Sequence, residues 1–73
     1  MLEDREILVL DVIDKYMQEN SFAPTVREIS KLATIKSTST VHNYLNRLED
    51  KGYIKRFKNY PRTIQIIKRI EES

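Results

Sequence analysis

The sequence predicts a mainly α fold closed by a small β hairpin: three helices, then two short strands. Three observations carry that expectation. Apolar residues recur at three- and four-residue steps up to Gly52. After Gly52, the only glycine, the pattern changes to alternation. The two prolines, Pro24 and Pro61, fall between elements, where they punctuate rather than break structure.

The first helix is expected over residues 4–19. Ile7, Leu10, Ile13 and Met17 form its apolar stripe, widened by Val9, Val12 and Tyr16. Asp4 and Glu6 lie in its first turn, where carboxylates favour the positive end of the helix dipole. Asn20-Ser21 and Ala23-Pro24 end the pattern. Thr25-Val26-Arg27-Glu28 reads as a capping box that opens a short helix, about 26–33, with Val26, Ile29 and Leu32 facing inward. Thr34-Ile35-Lys36 forms a turn, and Ser37 is expected to cap a third helix over about 38–51.

On that third helix Val41, Tyr44, Leu45 and Leu48 share one face. Ser39, His42, Asn43 and Asn46 occupy the opposite face, flanked by Thr40 and Arg47. Gly52 suits a left-handed helix end. Residues 53–57 alternate as a strand, residues 58–61 form a loop, and Arg62–Ile67 make a second strand. Within it Ile64 and Ile66 share a face and Ile67 points away.

Composition removes several classes of function. Seventy-three residues are read as a single domain, 1–73, which buries only about 60% of the surface its unfolded form exposes. A deep catalytic pocket is not expected. With no cysteine and one histidine, neither a disulfide framework nor a metal site is expected, and no cofactor is implied. His42 has Thr38 and Asn46 at helical spacing and no orienting carboxylate, so no nucleophile–base set can be named. The chain is read as a non-enzyme. No apolar run reaches the roughly 18–20 residues of a membrane span, and the acidic start Met-Leu-Glu-Asp-Arg-Glu does not suit a targeting peptide. A cytoplasmic protein with no membrane partner is expected.

The net charge of +2 conceals an uneven distribution. Residues 1–30 carry seven acids against three bases, a balance of −4. Residues 31–73 carry ten bases against four acids, a balance of +6. Between Lys51 and Arg69 there are seven bases and no acid. Such asymmetry suits a face made for a polyanion, although a basic tail that merely meets solvent has the same composition.

Two short helices joined by a tight turn make a helix-turn-helix, and a basic hairpin directly after the second is a wing. A three-helix winged helix-turn-helix reads double-stranded DNA by setting its second motif helix in the major groove. The chemistry agrees. Ser39 and Thr40 can bond to donors or acceptors on base edges, and the threonine methyl can meet a thymine methyl. Asn43 can grip adenine N6 and N7 together, and His42 can donate to guanine or to a phosphate. Thr25, Arg27, Ser37, Thr38, Arg47, Lys51, Lys55, Arg56, Lys58 and Arg62 are assigned to the DNA backbone, where contacts position the protein without reading sequence. Ser37 and Thr38 also suit a pure capping role. Phe57 and Tyr60, interleaved with the bases, either touch sugar and phosphate or stiffen the hairpin.

Pro24-Thr25-Val26-Arg27-Glu28-Ile29, Ser37-Thr38-Ser39-Thr40-Val41-His42, the run Tyr44 to Ile54, and Pro61-Arg62 before an isoleucine-rich strand together resemble the LexA repressor family. The Ser/Thr-Val-His string is similar to that of its Gram-positive branch, and the resemblance spans about residues 3–68. It implies a repressor of the DNA-damage (SOS) response that occupies a palindromic operator with GAAC-like half-sites. It also implies that Ser39, Thr40, His42 and Asn43 face the bases while the hairpin of 53–67 touches the backbone.

The sequence departs from the family pattern in four places. Family members carry a second, self-cleaving domain with a Ser-Lys dyad that also supplies most of the dimer interface. These 73 residues have no room for it, so either an excised domain or a stand-alone protein is expected. Dimerisation would then come from a homodimer formed on DNA or from a partner protein. Thr34 stands where the family turn has glycine, which suggests a different turn, because a β-branched residue is strained at positive φ. Glu3 replaces a Ser/Thr cap and Asn43 a small residue. The competing reading is a small protein-interaction module, such as a mobile-element factor that pairs with a host repressor through Asp11, Asp14 and Glu19.

Overall fold

A computed structural model describes residues 2–57, 60 and 62–69. Helix α1 runs Asp4–Glu19, α2 Val26–Leu32 and α3 Thr38–Asp50, followed by strands β1 Ile54–Lys55 and β2 Gln65–Ile66. The strands pair antiparallel with Ile54 opposite Ile66 and Lys55 opposite Gln65. The architecture is a winged helix-turn-helix: α3 packs against both α1 and α2, and β1 rests on α3.

One apolar core joins these elements. Val9, Leu10 and Ile13 enter it from α1, Ile29 from α2, and Val41, Leu45 and Leu48 from α3. Ile54 and Ile64 bring the wing into the same cluster. Leu32 departs from the expected inward stripe. At 57% exposure it lies on the outer surface of α2, and Ala33 and Ile35 fill the core in its place. A helix of only two turns ends before its apolar stripe is complete, and the chain then turns inward.

Two helix ends share one geometry. At the end of α3 the Gly52 N–H bonds to the Glu49 carbonyl (3.0 Å) and the Tyr53 N–H to that of Leu48 (2.9 Å), with Gly52 at φ 82°. This is a Schellman ending. The end of α2 repeats it. The Thr34 N–H reaches the Lys31 carbonyl (3.3 Å) and the Ile35 N–H reaches that of Ser30 (2.9 Å). The Ser30 hydroxyl donates to the Ile35 carbonyl as well. Thr34 therefore adopts φ 55°, the left-handed conformation a glycine would take freely. The turn does not change to suit its residue. Burial of Ile35 and the bonds around it hold threonine in a strained state.

The wing is shorter than the alternating pattern suggests. Each strand has two residues rather than five or six. Arg62 at φ 56° cannot begin a strand. Side-chain bonds take over from the ladder: the Phe57 N–H donates to Thr63 Oγ1 (3.1 Å), which in turn donates to the Phe57 carbonyl (2.9 Å). Beyond β2, the N–H groups of Ile67 and Lys68 both reach the Tyr53 carbonyl, at 2.8 and 3.2 Å. Ile64 is buried and Ile67 is exposed, so the two faces expected of this segment are present.

Thr34→Gly is expected to stabilise the domain by about 1 kcal/mol, because left-handed strain is relieved and only part of that gain is lost to glycine's greater freedom when unfolded. Urea unfolding should show a higher midpoint with unchanged slope. A lower midpoint would mean that threonine is unstrained at this position.

Candidate nucleic-acid interface

Helix α3 presents its polar face outward because its apolar face is fully used. Val41, Leu45 and Leu48 are completely buried. Ser39, His42, Asn43 and Asn46 are exposed, and Thr40 is half-buried on the flank. Ser37 occupies the N-cap position, yet its hydroxyl makes no capping bond. Ser37, Thr38 and Ser39 thus stand together, exposed, at the start of the helix.

Beside this face lies a groove of about 640 Å³ between the start of α2, the outer side of α3 and the wing. Thr25, His42, Asn46, Arg56, Tyr60 and Arg62 are among its walls. Thr25 is fixed there by the capping box. Its hydroxyl accepts the Glu28 N–H (3.2 Å), and the Glu28 carboxylate accepts the Thr25 N–H (2.8 Å).

The basic residues divide by what they already hold. Arg27 and Lys55 have no carboxylate partner among the described residues; Lys55 lies over the Phe57 ring at 5.4 Å. Arg47 makes an exposed pair with Glu3 (3.3 Å) and lies 5.7 Å from the centre of the Tyr44 ring. An exposed pair of this kind contributes about 0–1 kcal/mol and exchanges readily.

Lys51, Arg56 and Arg62 are engaged more deeply. Lys51 donates to both carboxylate oxygens of Glu6 (2.8 and 3.1 Å), and that carboxylate is fully buried. The Arg56 side chain is only 11% exposed; it pairs with Glu49 at 3.4 Å and donates to Asn46 Oδ1. Asn46, on the outward face but not among the base or backbone assignments, therefore ties the wing to α3. Arg62 donates to Glu28 (2.8 Å), to the Ala23 carbonyl and to the Tyr16 hydroxyl (both 3.2 Å). Lys58 lies outside the described residues.

Sequence reasoning missed the engagements of Lys51 and Arg62 because their partners are distant along the chain. Glu6 and Lys51 are 45 positions apart, and Glu28 and Arg62 are 34 apart. Glu6, assigned to the helix dipole, also accepts the Glu3 N–H (2.8 Å), so it completes the start of α1 where a Ser or Thr cap is missing. The one available signal was a glutamate at a position expected to lie near the apolar stripe.

Among the described residues no group of three or more His, Cys, Asp or Glu side chains can hold a metal ion, and no helix is long and apolar enough to cross a membrane.

A small winged helix-turn-helix with an exposed polar helix face beside a basic wing defines a nucleic-acid-binding class of domain. The family model for the LexA DNA binding domain matches residues 1–63, and the chain belongs to that family. It is 49% identical over 59 residues to the LexA repressor of Caldicellulosiruptor saccharolyticus, covering 81% of this chain and 29% of that protein. The LexA repressor of Desulforamulus reducens is 46% identical over 92% of this chain and 31% of its own length. That of Bacillus cytotoxicus is 46% identical over 99% of this chain and 36% of its own. The chain spans about a third of the length of these relatives.

The ionised carboxylates also set the response to acid. The backbone N–H of Thr25 is the main reason that Glu28 is held at about 2, well below its ordinary 4.5; Arg62, Tyr16 and the Thr25 hydroxyl add to it. Glu6 is likewise lowered, chiefly by its bond from Lys51 and then by the Glu3 N–H. A carboxyl that is more acidic folded than unfolded contributes stability above its unfolded value and loses it as pH falls toward the folded one. Stability should therefore decline from about pH 4.5 toward about 2. Urea unfolding across that range should give a shallower decline for Glu28→Gln than for the native chain. Equal declines would show that Glu28 is not a source of the acid sensitivity.

Proposed function

We propose that this chain is a sequence-specific double-stranded DNA-binding module of a LexA-type transcriptional repressor. It places α3 in the major groove of a palindromic operator with GAAC-like half-sites. The observation that carries this reading is the outward face of α3: short polar side chains, clear of the core, beside a basic wing. Membership of the LexA DNA-binding family supports it.

In this reading Ser39, Thr40, His42 and Asn43 meet base edges, with Asn43 the strongest discriminator through two bonds to adenine. Thr25, Arg27, Ser37, Thr38, Arg47, Lys55 and Lys58 meet the backbone and set register. The exposed Arg47–Glu3 pair opens at little expense, which frees Arg47 for a phosphate. Lys51 and Arg56 act chiefly within the protein, because moving Lys51 to a phosphate would leave the Glu6 carboxylate buried without its ion-pair partner. Arg56 is held in the same way between Glu49 and Asn46.

Action is by occupancy of the operator, not by catalysis, and the site of action is the cytoplasm, on bacterial DNA. Non-specific binding by such a domain lies around 10⁻⁴–10⁻⁶ M at physiological salt, so useful occupancy of two half-sites calls for a homodimer on DNA or a partner that supplies dimerisation.

Fluorescence anisotropy with a duplex carrying two GAAC-type half-sites, beside a scrambled duplex and over a salt series, tests the reading. Tighter binding to the palindrome is expected, and no binding to either duplex at low salt would overturn it. Asn43→Ala should weaken specific binding by about 1–3 kcal/mol and relax one base position. Lys55→Ala should weaken both duplexes alike and lower the salt slope by about 0.9. Equal losses on both duplexes for Asn43→Ala would remove it from base readout.

A further inference from the structure

The wing is too small to hold its own position. Two strands of two residues form a pair that is marginal in isolation. Something outside the hairpin must set where it stands beside α3. On the β1 side Arg56 supplies one tie, through Glu49 and Asn46. On the β2 side Ile64 is buried in the core, and the polar tie is Arg62.

Arg62 lies in the left-handed region, and its side chain reaches back to the helices. One guanidinium nitrogen donates to Glu28 Oε1, to the Ala23 carbonyl and to the Tyr16 hydroxyl, while the guanidinium carbon sits 4.6 Å from the centre of the Phe22 ring. The Tyr16 hydroxyl donates in turn to Glu28 Oε2 (3.0 Å). One side chain of the wing thereby grips α1, the loop after it and the first turn of α2. The same Glu28 closes the capping box of α2. Arg62 also lines the groove beside α3.

We propose that Arg62 is a positioning residue for DNA binding: its latch onto Glu28, Tyr16 and the Ala23 carbonyl holds the wing at the distance from α3 that a duplex backbone requires. The role rests on the DNA-binding reading above. It differs from a phosphate contact, the role composition alone assigns to this arginine. A phosphate-binding arginine contributes its charge, so lysine can replace it in part. A latch depends on where its nitrogen lies. All three bonds come from one terminal nitrogen carried past a guanidinium carbon that sits over the Phe22 ring, and the shorter, non-planar lysine side chain does not place its ammonium there.

Amide hydrogen exchange on the free 73-residue chain tests the latch without DNA. In Arg62→Lys and in Glu28→Gln the Phe57 and Ile67 amides should exchange faster, by more than any change at Leu45 and Leu48 in α3. Glutamine at position 28 can still close the capping box, so α2 is retained. Unchanged exchange in the wing would overturn the proposal.

Titration of the half-site duplex over a salt series tests the role in binding. Arg62→Lys, Arg62→Gln and Glu28→Gln should each weaken binding by a similar factor, about tenfold, and the double variant Glu28→Gln/Arg62→Gln should be no worse than either single change. The salt slope should match that of the native chain. A slope lower by about 0.9 for Arg62→Gln, with affinity restored by Arg62→Lys and untouched by Glu28→Gln, would make Arg62 a phosphate ligand and overturn the proposal. Failure of the native chain to bind either duplex would overturn the DNA-binding reading and the positioning role with it, while the exchange data still decide whether the latch exists.

Discussion

A single carboxylate stands where three parts of this domain meet. Glu28 completes the first turn of α2, accepts from Tyr16 of α1 and receives Arg62 from the wing. A helix of seven residues has little stability of its own, since nucleation is unfavourable and few internal bonds repay it. Its orientation depends on how its ends are held and on the one core residue it buries fully, Ile29. The capping box holds its start, and the Schellman turn with Thr34 holds its end. The box joins Thr25, just before the helix, to Glu28 in its first turn, and the Schellman turn lies between α2 and α3.

The second constraint is the burial of Glu6. A carboxylate removed from water is costly unless it is paired and bonded. Lys51, just past the last turn of α3, supplies the charge, and the Glu3 N–H supplies a further bond. The arrangement fastens the end of α3 to the beginning of α1. With the apolar core between them, the outward face of α3 is held at both ends of the helix bundle.

These engagements redistribute the basic charge. Seven bases between Lys51 and Arg69 read, on composition, as one polyanion-binding stretch. In the fold, Lys51, Arg56 and Arg62 pair with carboxylates, the two arginines tying the wing to the helices, while Lys55 and, on α2, Arg27 have no carboxylate partner among the described residues. The wing is an element built by long-range side-chain contacts more than by its own ladder. Its geometry and its charge are therefore not separable quantities.

Much was legible in the sequence, because the signals that set it are local. Helical periodicity located three helices, the Thr25–Glu28 box located the start of α2, and Gly52 marked the end of α3. The same periodicity told the polar face of α3 from its apolar face, and ordered motifs identified the family. Tertiary structure decided the rest. Thr34 keeps a glycine-like conformation because buried Ile35 and the bonds around it outweigh the strain. Leu32 faces solvent because α2 ends before its stripe closes. Arg62 leaves the strand pattern, with a left-handed backbone and its side chain on a carboxylate 34 positions away. Periodicity and capping act within a few residues, whereas an ion pair forms between groups that only the closed chain brings together. Sequence alone therefore determined which surfaces exist, and only the folded chain decided which charges on them remain free.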